Sequence, residues 1–166
     1  MLKKYFTEEK YDELKKSNNL IYKALEIVSN LFKYDNDKGG YPYMLHLLYV
    51  YNHVDTMDQK VVALLHDVIE DKNVSSDDLL DIGFSKDTIS DIETLSREKG
   101  SDYTKYIDNI VENGSYDALC VKLADLKNNM DMSRIKDPTI KDYERVEKRY
   151  NPSYEKILNK LKEMER

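Results

Sequence analysis

The chain has 166 residues, enough for one domain with its own core, and no shift in composition marks a second. With 35% charged and 40% hydrophobic residues and both signs interspersed, it groups with folded globular chains rather than disordered ones. A net charge of −6 excludes broad electrostatic binding of duplex nucleic acid, no apolar run approaches twenty residues, and the amino terminus MLKKYFTEEKYDELKK is charged where a secretory leader is apolar, so the expected setting is cytoplasmic, away from membranes.

Only five Gly and three Pro interrupt the chain, and apolar residues recur at helical spacing, so it reads as all-α. Thr7 followed by Glu8 and Glu9 opens a first helix to about Lys16, and IYKALEIVSNLF, residues 21–32, forms a second before KYDNDKGGY breaks it. Pro42 suits the first turn of a third helix over 42–54, and Asp58 begins a fourth that runs through VVALLHDVIED. Ser75 with Asp78 resembles a capping box, Gly83 ends that piece, and Ser85 caps a helix to about Leu95. After the turn REKGSD, helices follow over about 102–112 and 115–131. Asp137 and Pro138 start a long last helix, within 137–166, that Asn151 and Pro152 should interrupt or kink. Cys120, the single cysteine, lies in the apolar run ALCVKLAD and reads as core.

Chemistry concentrates at LLHDVIEDKN, residues 64–73. On a helix His66 and Asp67 are adjacent, and Glu70 and Asp71 follow one turn or ~6 Å further on. A neutral imidazole and a carboxylate suit Mn, Fe or Zn, while a free carboxylate nearby can orient or deprotonate a water. A helix edge with ordinary polar residues has the same pattern. His46 lies among Tyr43, Leu47 and Val50, an environment that demands a partner for imidazole, either a core hydrogen bond or an ion. His53 shares its face but stands seven residues, ~10 Å, away, so only one of the two can join a given ion. In LCVKLADLKNNM, Asp125 and Asn129 share a helical face, and Lys122 three residues earlier could pair with Asp125 on a solvated edge. DNDKGG puts Asp35, Asp37 and Gly40 at the first, third and sixth positions of a calcium loop, but His46 stands where the bidentate Glu belongs.

The succession PYMLH, LLHDVIED and VKLADLKNNM resembles the HD superfamily of metal-dependent phosphohydrolases, in particular the (p)ppGpp hydrolases and their small stand-alone branch, whose motifs read approximately GxPYxxHP, LLHDxxED and KLADxxxN. The similarity spans about Ala24 to Arg134. It implies a single-domain helical bundle in which His46, His66, Asp67 and Asp125 bind one divalent ion, usually Mn²⁺. It also implies that Glu70 and Asp71 work on the attacking water, that Asn129 and Lys38 face the substrate, and that the substrate is a small anionic nucleotide. The implied reaction is hydrolysis of (p)ppGpp to GDP or GTP and pyrophosphate.

Several positions depart from the family pattern. His-Pro becomes His46-Leu47, His-x-Gly-Gln becomes Phe32 to Asp35, and Asn128 and Leu126 replace the histidine and arginine of KLADRLHNM. Asp37 stands where many alarmone hydrolases have an arginine against the guanine, and an acid there could accept hydrogen bonds from a base edge. The alternatives are the same chemistry on another nucleotide, such as a nucleoside monophosphate or the 2′-phosphate of NADPH, and a helical interaction module without turnover.

Overall fold

Side-chain caps set most of the helix starts, as their sequence signatures predict. The computed structural model describes residues 2–166. A 3-10 turn at Leu2–Tyr5 leads to α1 (Glu8–Lys16), capped by Thr7, and α2 (Leu20–Leu31), capped by Asn19. Then come α3 (Met44–Asn52), α4 (Met57–Leu65), α5 (Val68–Lys72), α6 (Ser76–Ile82) and α7 (Lys86–Leu95). The chain closes with α8 (Tyr103–Asn113), α9 (Tyr116–Met130), α10 (Ile140–Arg145) and α11 (Asn151–Met164). Ser75 and Asp78 form the expected reciprocal box ahead of α6, and Gly83 takes the left-handed conformation that ends it. No strand occurs among the described residues, only an isolated antiparallel bridge between Asn36 and Pro42.

The run VVALL decides the architecture. Val61, Val62, Ala63, Leu64 and Leu65 are all buried, so α4 is apolar all round and needs cover on every side. That cover comes from α2, α3, α7 and α9. Each fully buried Leu on it contributes ~1.5–3 kcal/mol relative to exposure. The carboxy-terminal end of this central helix delivers His66 and Asp67, beside α3 with His46 and α9 with Asp125. No helix among the described residues is long and apolar enough to cross a membrane.

Four boundaries differ from the sequence expectation, each for a local reason. The fourth helix does not run through Asp71. Its terminus lies at Leu65, where the His66 ring bonds the Ala63 carbonyl that a continuing helix would offer to Asp67, and α5 resumes one turn on. The same helix starts from a Thr56–Gln59 box rather than from Asp58. Pro42 lies in the bridge with Asn36 and not in a first helical turn. The last helical stretch begins at Ile140, boxed by Thr139 and Asp142, and a π turn at Val146–Tyr150 absorbs the irregularity, so Pro152 sits harmlessly in the first turn of α11. Cys120 is half-buried against the core edge rather than inside it.

Candidate active site

Two imidazoles point at each other. His46 Nδ1 donates to Asn128 Oδ1 at 2.7 Å and His66 Nδ1 donates to the Ala63 carbonyl at 2.8 Å, so in both neutral rings the Nε2 lone pair is free. Those two Nε2 atoms stand 3.4 Å apart. Asp125 Oδ1 lies 3.4 Å from the His46 nitrogen and 3.9 Å from the His66 nitrogen, and Asp67 Oδ2 lies 3.6 and 3.0 Å from the same two. His46, His66 and Asp125 are buried, and their ligand atoms fall within 4.8 Å of one another.

Four electron-pair donors crowded this way suit a cation. With bonds of about 2.1 Å, adjacent donors around one ion stand about 3.0–3.4 Å apart, so the spacing fits a single divalent ion and the two-nitrogen, two-oxygen set suits a first-row metal. Without one, a proton fills the role. Burial alone pushes the His66 imidazole down, but the Asp67 carboxylate, with Asp125 beyond it, raises it to about 9. Burial opposes ionisation of Asp67 and Asp125 too, yet His66 holds Asp67 well below the usual carboxylate range, and Lys122 with the two histidines lowers Asp125.

Each of these donor side chains is held from behind. Tyr43, stacked on Phe32 with ring centroids 4.8 Å apart, donates its hydroxyl to Asp67 Oδ2 at 2.5 Å. Asn129 Nδ2 donates to Asp125 Oδ1 at 2.5 Å, and the Lys122 ammonium sits 2.8 Å from Asp125 Oδ2 while lying over the Tyr106 ring. The Lys122–Asp125 pair is therefore buried at the floor of the site, not on a solvated helix edge. His53 is elsewhere: it is exposed, stacks on Tyr49 and bonds the Tyr49 carbonyl.

Above the donors opens a cavity of about 390 Å³ lined by Lys38, Glu70, Asp71, Arg97, Tyr103 and Arg145 among others. Glu70 is anchored, its Oε2 accepting from the Arg97 backbone N–H at 2.9 Å. Burial raises the Asp71 carboxyl to about 6, with the Asp67 and Glu70 charges adding to the effect. Lys38 has no carboxylate within ion-pair distance among the described residues, and partial burial plus the Arg145 charge lower its pKa. Arg145 and Tyr150, on the carboxy-terminal helical stretch, also line the cavity, where the π turn at Val146–Tyr150 changes the helix phase. Asp37 also lines the cavity, and its carboxylate has partners inside the protein. Its Oδ1 accepts from the backbone N–H groups of Gly39 and Tyr41, and its Oδ2 pairs with Arg134, so both oxygens are committed within the protein.

Sequence reading missed Tyr43, Arg97, Tyr103, Tyr106 and Arg134. Tyr43 was within reach, three residues before His46 on one helical turn. Arg97 and Arg134 lie in turns, where no periodicity announces a side chain's direction.

This all-helical frame, with a histidine on one helix, a His-Asp pair at the end of the central one and an aspartate on a third, shares its fold with a solved structure. Among solved structures, it is similar to a metazoan orthologue of SpoT that hydrolyses ppGpp and plays a role in starvation responses, with a TM-score of 0.69 and 21% sequence identity over 87% of this chain and 86% of that one. No family model and no curated protein matches the sequence.

Proposed function

We propose that the protein is a metal-dependent pyrophosphohydrolase acting on (p)ppGpp, with Mn²⁺ as the resident ion. The observation that carries this reading is the convergence of four donor atoms from His46, His66, Asp67 and Asp125 at the floor of a cavity that Glu70, Asp71 and Lys38 also line. When bound there, a divalent ion supplies Lewis acidity toward a phosphoryl group and makes water a better nucleophile near neutral pH.

The remaining work falls to side chains. Lys38 and Arg145 at the cavity wall offset the charge of the substrate's phosphates, which an acidic chain must do locally. Glu70, fixed by Arg97, orients the attacking water, and Asp71, whose carboxyl is raised toward neutrality, accepts its proton. The water oxygen bonds to the phosphorus next to the 3′ oxygen, that P–O bond breaks, and the 3′ oxygen takes up a proton. Asn129 serves Asp125 first, through its 2.5 Å bond, and presents its remaining amide face to the substrate.

The reading is tested by incubating purified protein and Mn²⁺ with ppGpp, NADPH and nucleoside monophosphates and following pyrophosphate and phosphate release. Pyrophosphate from ppGpp is the expected product. Phosphate from NADPH or a monophosphate, with none from ppGpp, moves the same chemistry to another nucleotide. No turnover, together with no change in melting temperature on adding Mn²⁺, removes the enzyme reading altogether.

A further inference from the structure

Arg134 joins two parts of the site that are far apart in sequence. One guanidinium nitrogen, Nη2, pairs with Asp37 Oδ2, and the other, Nη1, donates to Asn128 Oδ1 and, at 3.0 Å, to the Asn128 carbonyl. On the loop side Asp37 gathers the backbone N–H groups of Gly39 and Tyr41, at 2.8 and 3.0 Å. Gly39 itself packs so tightly on the Arg134 carbonyl that a Cβ there would lie 2.1 Å from its oxygen. This loop carries Lys38 at the cavity wall. On the metal side Asn128, buried to 2% exposure, accepts from His46 Nδ1.

The amide of Asn128 could face His46 with either end. An oxygen there accepts Nδ1–H and leaves the Nε2 lone pair aimed at the other ligands. An NH₂ there would donate to Nδ1, move the ring proton to Nε2 and turn an N–H against His66 and Asp125. Nothing in His46 itself chooses between the two. Arg134 does, because Nη1 can only donate and so requires the amide oxygen on its side, the side His46 also meets.

We infer that Arg134 is a positioning residue that fixes the metal-ligating tautomer of His46 through Asn128 and, with its other nitrogen, holds the Lys38 loop through Asp37. The inference rests on the proposed metal site, but its first consequences concern the ring proton and ion affinity, not turnover.

The test uses the full chain, stripped of metal, as wild type, Arg134→Gln, Asp37→Asn and the double variant Asn128→Asp/Arg134→Gln. Two quantities are read: the histidine side-chain ¹⁵N spectrum of the metal-free protein and the Mn²⁺ dissociation constant by calorimetry. Wild type should show His46 with its proton on Nδ1. Arg134→Gln should move a large share of that signal to the Nε2–H form and weaken Mn²⁺ binding by roughly 10- to 100-fold, the usual effect of losing a group that orients a ligand. A carboxylate at position 128 accepts from either oxygen and cannot flip into a donor, so Asn128→Asp should restore both the Nδ1–H signal and most of the affinity. Asp37→Asn should leave both readouts near wild type while raising the KM of the substrate.

Rescue by Asn128→Asp separates tautomer control from general support of the fold, which a change at Asn128 would not repair. An Arg134→Gln protein with wild-type affinity and an unchanged His46 signal overturns the inference, as does a loss that Asn128→Asp does not restore. Failure of ppGpp as a substrate touches neither readout. A wild type that binds no Mn²⁺ but keeps the Nδ1–H signal counts against the metal-site reading instead.

Discussion

Raising the pH should act on this site in two opposite ways, because the proton on His66 Nε2, facing Asp67, occupies the nitrogen that would hold a metal ion. Its folded pKa of about 9 lies above the ordinary 6.5, so in the metal-free protein the imidazolium, facing Asp67 and Asp125, stabilises the fold. That contribution is fully present below about 6.5 and is lost as pH rises through about 9, and the gap between the two values corresponds to roughly 3 kcal/mol. For a chain of this size, that loss lowers the melting temperature by roughly 6–12 °C. Metal binding must expel the same proton, so the apparent affinity rises about tenfold for each pH unit below about 9, and one proton is released per ion near neutrality. Melting curves of stripped protein and Mn²⁺ titrations, in buffers of different ionisation enthalpy from about pH 6.5 to about 8.5, read both effects together. The increment in melting temperature on adding metal should therefore grow with pH. A metal affinity that stays constant across this range, or binding without proton release, would refute the placement of a shared proton between His66 and the carboxylates.

The fold and the candidate donor cluster were legible in the sequence for different reasons. Helix starts were readable because caps act locally: Thr7, Ser75 and Ser85 each satisfy a backbone N–H within three residues, whatever the rest of the chain does. The all-apolar VVALL run reads only as part of a fourth helix, and its burial on every side comes from the structure. His46, His66, Asp67 and Asp125 could not have been joined by periodicity, since they come from three helices, and local chemistry left His46 and His53 equal. Only the resemblance of motif order singled them out, and the buried 3.0–3.9 Å cluster then gave that order a physical content. The end of α4 at Leu65 was invisible because a side chain, His66, displaces the backbone pattern there. Asp37 shows the opposite failure. Its identity was noted, but its partner Arg134 is 97 residues away in a short 3-10 turn, and no local rule connects them.

Substitutions sort the site by task. Asp67→Ala should abolish Mn²⁺ binding by calorimetry, since it removes a donor 3.0 Å from His66 Nε2, whereas Glu70→Gln should keep the ion and slow hydrolysis by roughly 10²–10⁴-fold; loss of the ion in the second variant would contradict the role given to Glu70. Lys38→Ala should raise the substrate's KM by roughly 10- to 100-fold with metal affinity unchanged, because its ammonium lines the cavity with no carboxylate within ion-pair distance among the described residues. Leu64→Ala, at a fully buried position of the central helix, should lower stability by about 2–5 kcal/mol in urea unfolding. The last case is Asp71. Its carboxyl, raised to about 6 by burial and then by Asp67 and Glu70, works as a proton acceptor only when ionised, so kcat should fall as pH drops through that group's pKa. A bound divalent ion draws the pKa lower still, into the range where His66 protonation also weakens metal binding. Measuring kcat at saturating Mn²⁺ isolates it. Asp71→Asn should cut the rate and remove the limb together; a variant that keeps the same acid limb would hand the proton to another group, with Glu70 the nearest carboxylate in sequence.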